Sequence, residues 1–215
     1  MNNFDFLKKE IEESFMSNEN LKHSNTGDGR LDSAESEISV ISHIQNLFNN
    51  TDVKVLCAPR ARYWYDIKIV YNNKEYPINI KITSGNSADN VSSKEGLFYS
   101  LTGLNPDNTT GLTRWNTYNT LLTKNLNYST DADYYFIIYF KQEETFLFTS
   151  LKKLNKIVPN GNNLPFQCNW SENFIETTRS NKEQIDYLME TYFTSWVKKT
   201  SGFEPLMNWR IENGL

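Results

Sequence analysis

The chain has 215 residues, 22 basic and 26 acidic, for a formal net charge of −4, and 38% of its residues are hydrophobic. Its mean hydropathy is −0.61, no apolar run reaches membrane-spanning length, and the two cysteines, Cys57 and Cys168, are far apart. These features exclude a membrane-embedded chain, a disulfide framework and a CxxC zinc site.

The two histidines, His23 and His43, are too few for a His-rich metal site. The start, MNNFDFLKKEIEESF, lacks the apolar core of a signal peptide, so a cytoplasmic location is expected. Residues 1–50 hold nine acids and four bases, and residues 51–215 hold seventeen and eighteen. An acidic head therefore precedes a near-neutral body. Such a body can gather its bases on one face and bind phosphates despite the net charge.

Phe4, Leu7, Ile11 and Phe15 recur at helical spacing and predict a helix over 4–16. Residues 17–31 are polar and turn-rich. Asp32 or Ser33 is expected to cap a helix over 33–49, with Ile38, Ile41, Ile44, Leu47 and Phe48 on its packing side. A strand follows near 53–58. PRARYWYDIKIVY leads into a second strand ending at Tyr71, and NNK marks a hairpin into a third. That third strand, EYPINIKIT, alternates: Ile78, Ile80 and Ile82 face one way, and Asn79, Lys81 and Thr83 the other. Pro77 near its start predicts a free edge at that point.

SGNSADNVSS reads as a loop, and KEGLFYSLTG as a short helix ending at Gly103. A helix is expected over 112–126. DYYFIIYF (133–140) reads as a central strand buried on both faces, and TFLFTSL as the strand that returns from it. Residues 152–180 look irregular, and 181–199 form a final amphipathic helix. Its Ile185, Leu188, Tyr192 and Trp196 belong to the core or to a dimer surface. No domain boundary stands out. The expectation is a single domain over 1–215: an N-terminal helix and loop at 1–31, a core at 32–150 and a C-terminal extension at 151–215. The fold class is α/β (α+β), a central mixed sheet flanked by helices in the order α-β-β-β-α-β.

Asp66 in the second strand and Asn79 and Lys81 in the third converge if their polar sides agree. One carboxylate, one amide oxygen and one ammonium then form a cluster suited to phosphodiester hydrolysis. Mg²⁺ takes one or two protein carboxylates and keeps several waters. Asn79 brings no charge, so a further carboxylate is needed. Glu37 shares a helical stripe with Ile41, Ile44 and Phe48 and is preferred over Glu35, which reads as part of the cap. The plain alternative is a solvated sheet face in which Asp66 pairs with Lys68 or Lys81.

Asp66 with Asn79-Ile80-Lys81 inside this element order resembles the PD-(D/E)XK nuclease superfamily. In particular it resembles type II restriction endonucleases in which Asn replaces the usual acid of the third strand. DGRLDSAESE (28–37), RARYWYDIKI (60–69) and the stretch 77–103 carry the likeness. The resemblance maps the family's aspartate to Asp66, its acidic position to Asn79, its lysine to Lys81 and its helix glutamate to Glu37. Asp66 is not preceded by proline, a departure from the pattern. The resemblance implies a restriction-endonuclease-like core, Mg²⁺ held by Asp66, Asn79 and Glu37, and sequence-specific cleavage of double-stranded DNA. It also implies a homodimer, a cognate DNA methyltransferase in the same system that is not a physical partner, and a bacterial or archaeal cytoplasm. Another nuclease of the superfamily, or a nonenzymatic DNA-binding protein with a decayed site, is the alternative.

Candidate DNA contacts follow from chemistry that reaches phosphates and base edges. They are Ser84, Gly85, Asn86 and Asn90 in the loop after the third strand, Lys94 at the next helix start, Arg60 and Arg62 ahead of Asp66, and Arg114. The rings of Tyr63, Trp64 and Tyr65 read mostly as core.

Overall fold

The structure is a computed structural model that describes residues 3–17, 29–83, 88–91 and 93–212, with only the backbone of 29–34. The chain forms two compact units, residues 1–86 with 133–153, and residues 87–132 with 154–215. In chain order, the first unit begins with α1 (Asn3–Met16), α2 (Gly29–Leu47), β1 (Lys54–Cys57), β2 (Ile67–Tyr71) and β3 (Lys74–Thr83). The second contributes β4 (Asp89–Asn90), α3 (Lys94–Thr102) and α4 (Trp115–Lys124). The chain then returns to the first for β5 (Tyr135–Phe140) and β6 (Thr145–Ser150). It closes in the second with β7 (Val158–Pro159), β8 (Phe166–Cys168), α5 (Asn181–Ser201) and α6 (Glu204–Glu212).

The fold is mixed α+β around a five-stranded sheet of order β1-β2-β3-β5-β6. Its pairs are antiparallel except β3–β5, which is parallel. A parallel neighbour requires a long crossover, and the stretch carrying α3 and α4 supplies it. The β2–β3 hairpin turns at Asn72 and Asn73, whose φ values of 50° and 58° are those of a two-residue type I′ turn. Asparagine tolerates that left-handed backbone better than most residues. The turn fixes the register from Tyr71↔Lys74 to Ile67↔Ile78. Pro77 sits one step before the β5 ladder begins at Ile78↔Tyr135. Its missing N–H costs no ladder bond there, as expected of a locally free edge.

Alternation sends Ile67, Ile69, Tyr76, Ile78, Ile80, Tyr135 and Ile137 to one face of the sheet. There they pack with Leu7, Ile11 and Phe15 of α1 and Val40, Ile44 and Phe48 of α2. Each fully buried isoleucine contributes about 2 kcal/mol. Phe15 stacks on Phe146 at 3.9 Å between centroids, and His43 Nε2 meets Ser14 Oγ at 3.0 Å. His43 is thus part of the α1–α2 packing. All six residues of β5 are buried, so that strand is covered on both faces.

Two expectations for α2 change. Asp32 and Ser33 lie inside the helix, which begins at Gly29, because Arg30 and Leu31 are good helix formers and carry it a turn further. Ile38 is 64% exposed. The buried stripe runs through Ser36, Val40, Ile44 and Phe48, and Ile38 lies about 200° round the helix from Val40 at 100° per residue.

In the second unit, α3 is capped by the Ser93 side chain, which accepts from the Gly96 N–H, and ends at Gly103 with φ 74°. The stretch 152–180 forms 3₁₀ turns and a three-stranded sheet of order β4-β8-β7. Strands of two or three residues are too short to show a period, which is why they read as irregular. Ile185, Leu188 and Tyr192 of α5 are buried. Among the described residues, no helix is long and apolar enough to cross a membrane.

Candidate active site

Past the last register pair, Ile67↔Ile78, the Asp66 N–H donates to the Ile78 carbonyl at 2.9 Å, which brings the Asp66 side chain to Asn79. Asn79 Nδ2 donates to Asp66 Oδ2 at 2.8 Å. The backbone N–H of Ile80 lies beyond the end of the β2 ladder and donates to the same oxygen at 2.7 Å. A strand end thus leaves an unpaired N–H, and a carboxylate satisfies it. The segment ahead of Asp66 is anchored as well: the Tyr134 hydroxyl donates to the Trp64 carbonyl, and Trp64 and Tyr65 are buried. Nothing in the sequence pattern identifies the Ile80 and Tyr134 contacts, because each engages a backbone group.

Burial raises the Asp66 pKa, opposed by the Ile80 N–H and by the Lys81 charge. Glu37 is raised by burial first, then by the negative charge of Asp66, with Lys81 pulling it down. Glu37, Asp66 and Lys81 are therefore close enough to feel one another. The two N–H donors favour ionisation of Asp66, so the mutual repulsion falls on Glu37. Glu35, the rival helix carboxylate, is exposed.

Because its amide nitrogen serves Asp66, Asn79 must turn its oxygen away. That Oδ1 is buried and has no hydrogen-bond partner among the described residues. A buried acceptor left unmade costs about 1–3 kcal/mol, so it calls for a donor or a cation. Two carboxylates held above their ordinary pKa beside an orphaned amide oxygen form a hard, oxygen-rich set that fits Mg²⁺. Glu37, Asp66 and Asn79 are the residues that would hold it. Among the described residues no group of three or more His, Cys, Asp or Glu is placed for a metal. The set here has two acids and takes its third oxygen from an amide.

The plain surface-strand pairing of Asp66 with Lys68 does not form. Lys68 bonds Glu75 at 2.8 Å and lies 5.9 Å from the Tyr65 ring.

The candidate DNA contacts fall in both units. Ser84, Gly85 and Asn86 fall outside the described residues. Arg60 and Arg62 are exposed in the first unit, Arg62 with φ 57° and Arg60 5.8 Å from the Tyr63 ring. Asn90, Lys94 and Arg114 belong to the second unit. Asn90 accepts from Asn160 at 3.3 Å, and Arg114 precedes α4 without capping it by its side chain. Lys94 donates to the Thr113 carbonyl at 2.9 Å and rests 4.7 Å from the Trp115 ring, so its ammonium already braces the start of α4.

No protein-family model matches the chain, and no curated protein matches its sequence.

Proposed function

We propose that this chain is a Mg²⁺-dependent nuclease of the PD-(D/E)XK type, and within that superfamily a type II restriction endonuclease cutting double-stranded DNA at a short specific sequence. The observation that carries the reading is the Asn79–Asp66 hydrogen bond, with the Asn79 amide oxygen buried and without a partner among the described residues and the charges of Glu37 and Lys81 near enough to act at the same place. The three-strand meander followed by a parallel fourth strand after a helical crossover supports it.

Mg²⁺ held by Asp66, Asn79 and Glu37 would supply the Lewis acidity that phosphodiester hydrolysis needs. The chain's own residues do the rest. Ile80 and Asn79 fix Asp66 by one oxygen and leave the other outward. Asn79, turned by that same hydrogen bond, keeps a buried carbonyl oxygen for a cation to engage. Glu37 adds the charge that an amide cannot supply. The Lys81 ammonium orients the attacking water and offsets charge building on the phosphate oxygens. Arg60, Arg62 and Arg114 supply phosphate contacts, and a palindromic target calls for a twofold homodimer.

Plasmid DNA incubated with the protein in Mg²⁺ or in EDTA tests this. Discrete fragments that require Mg²⁺ support restriction. Random degradation assigns a nonspecific nuclease of the same superfamily. Intact DNA under both conditions, across supercoiled, linear and branched substrates, refutes the enzyme.

A further inference from the structure

Asp66 closes a stretch, residues 58–66, that forms neither strand nor helix. Its own N–H and carbonyl are paired, with the Ile78 carbonyl and the Ala58 N–H, each at 2.9 Å. Just ahead of it, Trp64 and Tyr65 are buried without belonging to a ladder. Buried backbone outside a ladder must find its hydrogen bonds elsewhere. For the Trp64 carbonyl the donor is the Tyr134 hydroxyl, 70 residues away in the chain.

Tyr134 is wholly buried, and both its ring and its backbone are held. The ring lies 6.0 Å from Trp64 in a stacked pair and meets Phe136 edge-on at 5.2 Å. Its carbonyl accepts from the Leu151 N–H at 2.8 Å. Its N–H donates to Asp133 Oδ1 at 2.8 Å, and that oxygen also accepts from the Lys152 N–H at 3.2 Å. The end of β6 thus holds Tyr134, and Tyr134 holds Trp64, two residues before Asp66. Every group in this brace lies in the first unit. A phenylalanine would fill the same space, so what tyrosine adds is the hydroxyl and its grip on the chain entering Asp66. Mg²⁺ demands near-ideal octahedral geometry at about 2.0–2.1 Å, and a site works only when its groups are held within about 0.5 Å. Backbone that swings at residue 64 carries the carboxylate beyond that tolerance.

We propose that Tyr134 is a positioning residue of the cation site: its hydroxyl, acting through the Trp64 carbonyl, sets the direction in which Asp66 presents its carboxylate. The inference rests on the reading of Asp66, Asn79 and Glu37 as a Mg²⁺ site.

Tyr134→Phe, Tyr118→Phe and wild type are compared as full chains of equal far-UV circular dichroism. Tyr118 is buried too, and its hydroxyl donates to the Lys94 carbonyl at 2.7 Å. Each variant therefore loses one tyrosine-to-backbone hydrogen bond, and only one of the two bonds leads to Asp66. The backbone amide resonance of Ile80, which donates to Asp66 Oδ2 at 2.7 Å, reports the carboxylate with no metal present. Isothermal titration calorimetry with Mg²⁺ reports the site. Tyr134→Phe is expected to move the Ile80 resonance and to raise the Mg²⁺ Kd about 10-fold, the usual effect of removing a group that orients a ligand. Tyr118→Phe should leave both at wild-type values. Asp133→Asn keeps the acceptor but weakens its bond to the Tyr134 N–H, and should shift both readouts the same way by less. An Ile80 resonance unmoved in Tyr134→Phe and Asp133→Asn overturns the inference. So does a wild-type Mg²⁺ Kd in Tyr134→Phe, or an equal rise in Tyr118→Phe. A wild type that binds no Mg²⁺ and cuts no DNA, with Ile80 moved by Tyr134→Phe and not by Tyr118→Phe, refutes the nuclease and supports the orientation of Asp66 by Tyr134.

Discussion

Replacing Asn79 by Asp probes the site most directly, since it changes one heavy atom and restores the charge expected at that position. The side-chain nitrogen that now donates to Asp66 at 2.8 Å becomes an oxygen. A hydrogen bond to a charged group, worth about 2 kcal/mol, is lost. Two carboxylates then face each other, and unit charges about 4 Å apart repel by about 4 kcal/mol at an effective dielectric near 20. Proton uptake limits that repulsion, because keeping one of the pair protonated near pH 7 against a pKa of about 4 also costs about 4 kcal/mol. Solvent at a half-buried site screens part of this, leaving a loss on the order of 4 kcal/mol. For a chain of this size that lowers Tm by roughly 10 °C. Mg²⁺ should return most of the loss, since a ligand at roughly 100 times its Kd stabilises by about 2.7 kcal/mol. Thermal melts followed by circular dichroism, in EDTA and in Mg²⁺, give the test. Asn79→Asp is expected to melt well below wild type in EDTA and to show the larger Mg²⁺ shift. A variant that melts with wild type in EDTA, or that gains no more from Mg²⁺, refutes the placement of Asn79 against Asp66 in a cation site.

Lys81→Ala should reduce Mg²⁺-dependent cleavage by about 10²–10⁴-fold while leaving DNA binding intact, read by plasmid digestion beside a gel-shift assay; near-normal cleavage removes Lys81 from the chemistry. Glu37 has its pKa raised by burial and then by Asp66. The folded chain thus holds this proton more tightly than the unfolded chain, and stability falls as pH rises through the unfolded value toward the folded one. Glu37→Gln should accordingly be more stable than wild type near pH 7, by about 1 kcal/mol, with the gap narrowing toward pH 4 in urea unfolding. Asn73→Gly relieves a left-handed backbone of φ 58° and should stabilise the hairpin by about 0.5–1 kcal/mol, visible as a higher urea midpoint at constant m. Gly103→Ala should destabilise by at least about 1 kcal/mol, because φ is +74° and the new Cβ would lie 2.6 Å from Thr130 Oγ1. Differential scanning calorimetry measures that loss.

Much of the first unit was legible in the sequence, because its signals are local. Period two in EYPINIKIT and DYYFIIYF and period 3.6 in the first helix follow from backbone geometry and from which side chains water excludes. The paired asparagines set the hairpin, and the hairpin brings the end of the second strand, next to Asp66, alongside the third. The sequence also preferred Glu37 to Glu35 from its place in a helical stripe, and of the two Glu37 is the half-buried one. It placed the start of α2 and the exposure of Ile38 wrongly, because a helix N-terminus and the phase of its buried stripe are set by what packs against it. Only tertiary structure decided the chemistry of Asn79. A donor on one side of the amide and an unpaired, buried oxygen on the other depend on a carboxylate thirteen residues away in the chain and on an N–H freed by a strand's end. Tertiary structure likewise separated the buried side of α5 from its exposed one and, among the described residues, left none of α6 buried. Composition cannot carry such facts. They arise from long-range contacts, and no local period encodes which apolar side chains a fold will leave in water.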